Sequence, residues 1–152
     1  MVSAPGQRPQ RRCGSHALHR AGSDQSEEPS GPTGIREVRY QRGSMQVVNV
    51  VTARRYVREK MVKYGLFETE NLFCDVYCLE PGQEQAVHAH AGSDKIYVLL
   101  EGRAMVTVGT EERELQPMEA VLAPAGQPHG IANRSDQRAA ALVFFAPKPR
   151  HE

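Results

Sequence analysis

No apolar run in this 152-residue chain is longer than a β-strand, so no segment reaches the ~20 apolar residues of a membrane-spanning helix. No Lys/Arg cluster with interleaved aromatics occurs beyond residue 44. That absence argues against a nucleic-acid surface or a fused DNA-binding domain. Cysteine is scarce, with Cys13, Cys74 and Cys78 the whole complement. Three such residues do not make a disulfide framework. Cys74 and Cys78 lie on one strand face about 13 Å apart at the usual rise per residue, too far to bridge. They read as reduced, buried core residues of a cytoplasmic protein. No internal repeat is visible, so one small domain is expected.

Large aliphatic residues are missing from one end. Residues 1–44 hold Pro5, Pro9, Pro29 and Pro32 among many Gly, Ser and Arg, a composition that cannot bury enough apolar surface to offset its ordering entropy. A disordered tail is expected there. Its seven Arg against four carboxylates give +3, and the remaining twelve basic and fourteen acidic residues give −2. The acid-free start with Arg8, Arg11, Arg12 and Arg20 superficially resembles an organellar transit peptide. Its two prolines, and Val2 and Leu18 as its large aliphatics, make a poor amphipathic helix, and it has no apolar signal-peptide core. Met45 stands where the ordered pattern begins, which suggests a native start there and an upstream extension over 1–44. Residues 45–147 are rich in Val, Leu, Ala and Phe and can bury a core; 148–152 form a short C-terminal tail.

Within 45–147 the pattern is that of short strands. Gln46–Thr52 is β-branched and reads as a strand at a sheet edge or an oligomer contact. Arg54–Tyr64 is ambiguous, since Val57, Met61 and Tyr64 also fit a helical stripe. Leu66–Thr69 and Leu72–Leu79 read as a hairpin, and Pro81-Gly82 as a turn leading to the next strand. Lys95–Leu100, Ala104–Val108, Glu112–Leu115, Ala120–Ala123, His129–Ala132 and Ala139–Ala146 complete the set. Strands this short, punctuated by Gly and Pro, predict an all-β sandwich or barrel.

The most informative residues are histidines. His88 and His90 project to one side of a strand because strand side chains alternate. His129 can meet them only if the chain folds back. The other histidines are His16, His19 and His151, so every histidine of the expected barrel is one of these three. Three converging imidazoles make a site for a divalent transition metal, with Fe, Zn, Mn, Ni and Cu all open.

The spacing is more specific than the residue types. Gly82, His88, His90, Lys95 and Gly102 stand at the positions of G-x5-H-x-H-x3/4-E-x6-G, and Pro124, Gly126, His129 and Asn133 at those of G-x5-P-x-G-x2-H-x3-N. The segment resembles the two motifs of the small single-domain cupins, and the flanking strands extend the likeness to 45–147. The resemblance implies a single jelly-roll β-barrel of six to eight or more strands, with His88, His90 and His129 as metal ligands. Two positions depart from it. The family's glutamate ligand falls on Lys95, and the opening glycine of the second motif falls on Met118.

Lys95 has three readings. It points inward with Tyr97 and Leu99, beside the histidines, where it would anchor an anionic substrate or act as a neutral amine. Alternatively it pairs with Asp94 or Asp75. In the third, the register shifts by one and Asp94 becomes the fourth ligand. Tyr97 shares the Lys95 face, as a hydrogen-bond donor to a bound molecule or as a wall residue; Lys95 and Tyr97 are the candidate catalytic residues. Asn133 is expected to tie down a turn, and Gly82, Gly102 and Gly126 to supply positive φ. Arg103, Met105 and Thr107 share one face of a strand that looks either into the barrel or away from it.

A three-histidine shell leaves a metal its dipositive charge and open coordination positions. The leading expectation is therefore a metal-dependent enzyme acting on a small polar or anionic molecule. The resemblance implies dioxygenase-like chemistry, or an isomerase or lyase. A non-catalytic barrel that binds or senses a small ligand is the alternative, and a purely structural metal is the third. The partners expected are a small molecule and a second copy of the chain in a homodimer, with neither nucleic acid nor membrane.

Overall fold

The computed structural model describes residues 43 and 45–148, all within Thr33–Glu152, one of two units into which the chain divides. The expectations about residues 1–42, including the disordered tail, Cys13, His16 and His19, lie outside the described residues, as does His151.

Nine strands and one helical turn make up the described residues: α1 (Val50–Ala53), β1 (Val62–Glu68), β2 (Phe73–Leu79), β3 (Glu84–His88), β4 (Asp94–Glu101), β5 (Ala104–Val108), β6 (Glu111–Leu115), β7 (Ala120–Ala123), β8 (His129–Ala132) and β9 (Ala139–Ala146). They form two antiparallel sheets, in the orders β1-β2-β9-β4-β7 and β3-β8-β5-β6. The expected hairpin is β1–β2, lengthened at its first strand, and strands from β5 onward fall where the alternation places them.

Period-two alternation builds the core. On β4, Lys95, Tyr97 and Leu99 are fully buried while Ile96 is exposed. On β9, Ala139, Ala141, Val143 and Phe145 turn inward. They meet Tyr77 and Leu79 of β2, Ala104 and Val106 of β5, Leu115 of β6 and Ile131 of β8 between the sheets. On β5 the buried Ala104 and Val106 settle the other face: Arg103 and Thr107 point outward, to Glu114 and Glu112 respectively.

The opposite face of the five-stranded sheet is also apolar. Leu66, Cys74, Val76 and Cys78 are buried there, with Ala53, Val48, Val50 and Tyr56 from the stretch before β1 packed over them. Cys74 and Cys78 are free thiols, as expected. This covering stretch corrects one reading, since Gln46–Thr52 forms no strand. The Asn49 side chain accepts from the Val51 and Thr52 amides and caps one turn of helix instead, a local bond that competes with a sheet ladder. Residues 54–61 are neither helix nor strand, so the helical stripe there does not materialise.

Asn133 does tie down a turn. Its Nδ2 donates to the Leu79 and Gln137 carbonyls and its Oδ1 accepts from the Ser135 amide and hydroxyl. Gly102 has φ +74°, and a β-carbon there would fall 2.1 Å from the Arg138 carbonyl oxygen, so no other residue fits. Met118, at the motif glycine's position, also has positive φ, 70°, with its side chain exposed. Left-handed backbone costs a residue with a β-carbon about 1–2 kcal/mol, and glycine's extra unfolded-state entropy returns about 0.5–1 of it. Met118→Gly is therefore expected to stabilise the fold by about 0.5–1 kcal/mol and raise its melting temperature by about 3 °C. A lower melting temperature in a calorimetric scan would contradict the strain at Met118.

Candidate metal centre

The centre is built across the β3–β8 ladder, where His88 and His129 are direct partners. His90 lies just past the end of β3, and the Gly126 amide donates to its carbonyl. The ring centroids are 4.8 Å apart for His88–His129, 4.9 Å for His88–His90 and 5.5 Å for His90–His129. One nitrogen from each ring lies within 4.8 Å of the others. The fold thus brings together the three histidines expected from the spacing.

Hydrogen bonds fix two of the tautomers. His88 Nδ1 lies 2.8 Å from the Ala86 carbonyl oxygen and His129 Nδ1 2.9 Å from that of Gln127. A carbonyl only accepts, so each Nδ1 carries the hydrogen and each Nε2 keeps its lone pair. His129 is buried and its Nε2 has no hydrogen-bond partner among the described residues. A buried nitrogen left without a partner is costly unless something binds it. His90 is held by packing, its ring edge-to-face with Phe145 at 5.2 Å. The His129 pKa is pushed down to about 4, first by burial and then by Lys95, His88 and His90, with the Gln127 bond acting in the opposite direction. Burial is also the main cause that lowers His88 and His90. Neutral imidazoles with oriented lone pairs are the form a transition metal needs, so the donor set fits such an ion.

Lys95 lies inside the barrel, fully buried. Its Nζ donates to Gln85 Oε1 at 2.9 Å and sits 4.5 Å from the centre of the Tyr97 ring and 4.6 Å from that of Phe145. Its pKa is pushed down to about 6 by burial and then by Lys63, while Asp75 pulls upward. The first of the three readings therefore describes its placement. No ion pair joins it to Asp94 or Asp75 among the described residues. Asp94 is exposed on the other face of β4 and accepts from the Ala125 amide, so it is no fourth ligand. A one-residue shift would turn β4's whole inward row outward, and that cost fixes the register. Tyr97 is buried beside it, with its hydroxyl 3.4 Å from Gln85 Oε1 and its ring 6.2 Å from His129.

Gln85 is the site residue that alternation misses. It precedes His88 by three positions, which in a regular strand puts the two on opposite faces. A bulge between them shifts the register by one and returns both to the same side. Opposite the bulge stands Gly130, where a β-carbon would lie 2.9 Å from the Gln85 carbonyl oxygen. That glycine is the faint signal the sequence offers.

Two packed antiparallel sheets carrying a three-imidazole cluster, with one ring buried and two half-buried, define a jelly-roll barrel with a candidate metal centre. A family model for the cupin domain matches residues 75–145. The chain belongs to the cupin family. It is 39% identical over 75 residues to the tetracenomycin polyketide synthase protein TcmJ of Streptomyces glaucescens, a match covering 49% of this chain and 50% of that one. It is 31% identical over 94 residues to the uncharacterized protein SCO3923 of Streptomyces coelicolor, covering 62% of this chain and 79% of that protein. The crystal structure of TT1209 from Thermus thermophilus superposes with a TM-score of 0.68 at 48% identity, covering 69% of this chain and all of that one.

This geometry sets two expectations. His129→Ala and His88→Ala should each lower metal content at least tenfold, measured by elemental analysis, while the melting temperature of the metal-free protein stays within a few degrees. The core is apolar and closes without the site. Unfolding of either variant at ambient temperature would make the cluster structural.

The second concerns Asp75, on β2, whose pKa is raised to about 6 by burial, with Lys63 and Lys95 opposing and Glu68 adding. A folded-state value above the unfolded one means that stability falls as pH rises from about 4 through 6. Asp75→Asn removes that slope. It should add about 1–2 kcal/mol at pH 8, less than the ~3 of the full shift because Asp75 is only partly buried. The gain should vanish at pH 4 in denaturant titrations.

Proposed function

We propose that this cupin is a metal-dependent enzyme acting on a small polar or anionic molecule bound beside His88, His90 and His129. The observation that carries this reading is His129 Nε2, buried, without a hydrogen-bond partner among the described residues, and facing two other neutral imidazoles. When bound there, a divalent transition metal (Fe, Zn, Mn, Ni or Cu) supplies Lewis acidity and coordination positions that three protein ligands leave open. The chain's own contribution is Lys95 and Tyr97, the proposed catalytic residues. Lys95 anchors a carboxylate or enolate in its charged form, or takes a proton as a neutral amine, the role that a pKa pushed down to about 6 favours. Tyr97 offers a phenolic hydroxyl from the same face.

Dioxygenase-like cleavage and isomerase or lyase chemistry both begin from such an enolisable, chelating substrate. Similarity to a protein named for a polyketide synthase supports a carbonyl-bearing one. Residues 45–147 are proposed as the working unit. The free buried Cys74 and Cys78 support a reducing, cytoplasmic setting. Exposed Met45, Val47 and Val51 ahead of β1 support a homodimer contact there.

Metal analysis of protein purified without chelators or an affinity tag, followed by a dioxygen-consumption screen with β-dicarbonyls and α-keto acids, tests the reading. Absence of metal together with no turnover of any supplied metal form would leave a simple binding barrel. Lys95→Glu is the sharpest single change. It puts an anionic oxygen donor where the cupin pattern has one, so metal affinity in chelator competition should rise about tenfold, or about 1.4 kcal/mol. Turnover of an anionic substrate should fall, because an anchor and a coordination position are lost together. Unchanged values for both would remove Lys95 from the site.

A further inference from the structure

We propose that Gln85 is the specificity-determining residue of the centre, presenting an amide N–H that selects ligands carrying an oxygen acceptor over ligands that bind a metal without one. The proposal rests on the metal-binding reading above and adds a ligand class to it. It follows from how the carboxamide is oriented. Gln85 Oε1 accepts from Lys95 Nζ at 2.9 Å and from the Tyr97 hydroxyl at 3.4 Å. Lysine is a donor whether charged or neutral, so two donors hold the oxygen on the core side. Gln85 also hydrogen-bonds the Tyr77 side chain. The NH2 end then faces the other way. There Gln85 Nε2 lies 3.4 Å from His88 Nε2, the nitrogen whose lone pair the Ala86 carbonyl has fixed in place.

That lone pair is the acceptor for the amide. If His88 held a metal through the same lone pair, the N–H of Gln85, half-buried on the bulged β3, would lose that acceptor. A polar hydrogen in such a place is satisfied best by an acceptor on the incoming molecule. A carboxylate, enolate or hydroxamate oxygen qualifies. A ligand whose remaining polar atom is itself an N–H does not, and it would oppose the amide. The bulge that turns Gln85 inward requires the absent side chain of Gly130, whose β-carbon would lie 2.9 Å from the Gln85 carbonyl oxygen.

Cobalt(II)-loaded protein, titrated separately with acetate and with imidazole and followed by visible absorption, tests this without any turnover assay. Acetate brings an oxygen acceptor; metal-bound imidazole offers only its second N–H. Gln85→Met, similar in length, should weaken acetate at least tenfold and leave imidazole within about twofold. Gln85→Glu should weaken acetate further, because a carboxylate then faces the anion, with imidazole held or strengthened. Tyr97→Phe, which removes one donor to the amide oxygen, should reduce the acetate-to-imidazole ratio with Gln85 intact.

Equal losses for both ligands would mean that Gln85 only supports the fold of the site, and unchanged acetate affinity in Gln85→Met would overturn the assignment outright. If wild-type protein takes up no cobalt through His88 and His129, the metal-binding reading itself fails and this proposal with it. If cobalt and acetate bind and the Gln85 variants do not discriminate, only the present inference falls.

Discussion

His88 and His129 stand opposite each other across the β3–β8 ladder, and the centre depends on that one pairing. Its register is not free. Ile131 on β8 belongs to the inner core, and a slip by one residue would exchange it with a neighbour facing outward. The apolar core therefore holds the imidazoles in place indirectly. Their Nδ1 hydrogens go to carbonyls of their own segments, Ala86 and Gln127, so the local backbone that sets the ring positions also sets which nitrogen is free.

The inner surface is divided by chemistry along its length. Toward Leu79, Leu99, Leu115 and Ala139 it is apolar and closed by the buried Asn133, whereas Lys95, Gln85, Tyr97 and the histidines gather at the other end. A buried ammonium is expensive. Here the faces of Tyr77, Tyr97 and Phe145 surround it, and one amide oxygen accepts from it. Cation–π contact with three rings offsets part of the desolvation, and the lowered pKa is what remains uncompensated. Such an arrangement costs stability, and its placement beside three lone-pair-bearing imidazoles is what makes a functional reading stronger than a structural one.

The outer face of the five-stranded sheet follows a different logic. Its apolar residues are covered by the chain's own stretch before β1, through Val48, Val50, Ala53 and Tyr56. A β-branched run that alternation reads as a strand is recruited as a cover instead, because Asn49 satisfies two amides locally that a strand would have needed a partner to satisfy.

Strands β5 to β9 and the three histidines were legible in the amino-acid sequence, whereas the inward placement of Lys95 with Tyr97 stood there as one of three readings. Each follows from period two or from fixed motif spacing, both local properties of an extended chain. Whatever breaks that period or spans the fold was settled by contacts between distant strands. The bulge on β3 places Gln85 beside His88, the pairing of β4 with β7 and β9 excludes Asp94, and the packing against Phe145 seats His90. The left-handed backbone at Met118 belongs with these, since a turn joining two sheets imposed it on a residue that does not favour it. Local alternation tells which way a side chain points; which groups it meets there depends on strands distant in sequence.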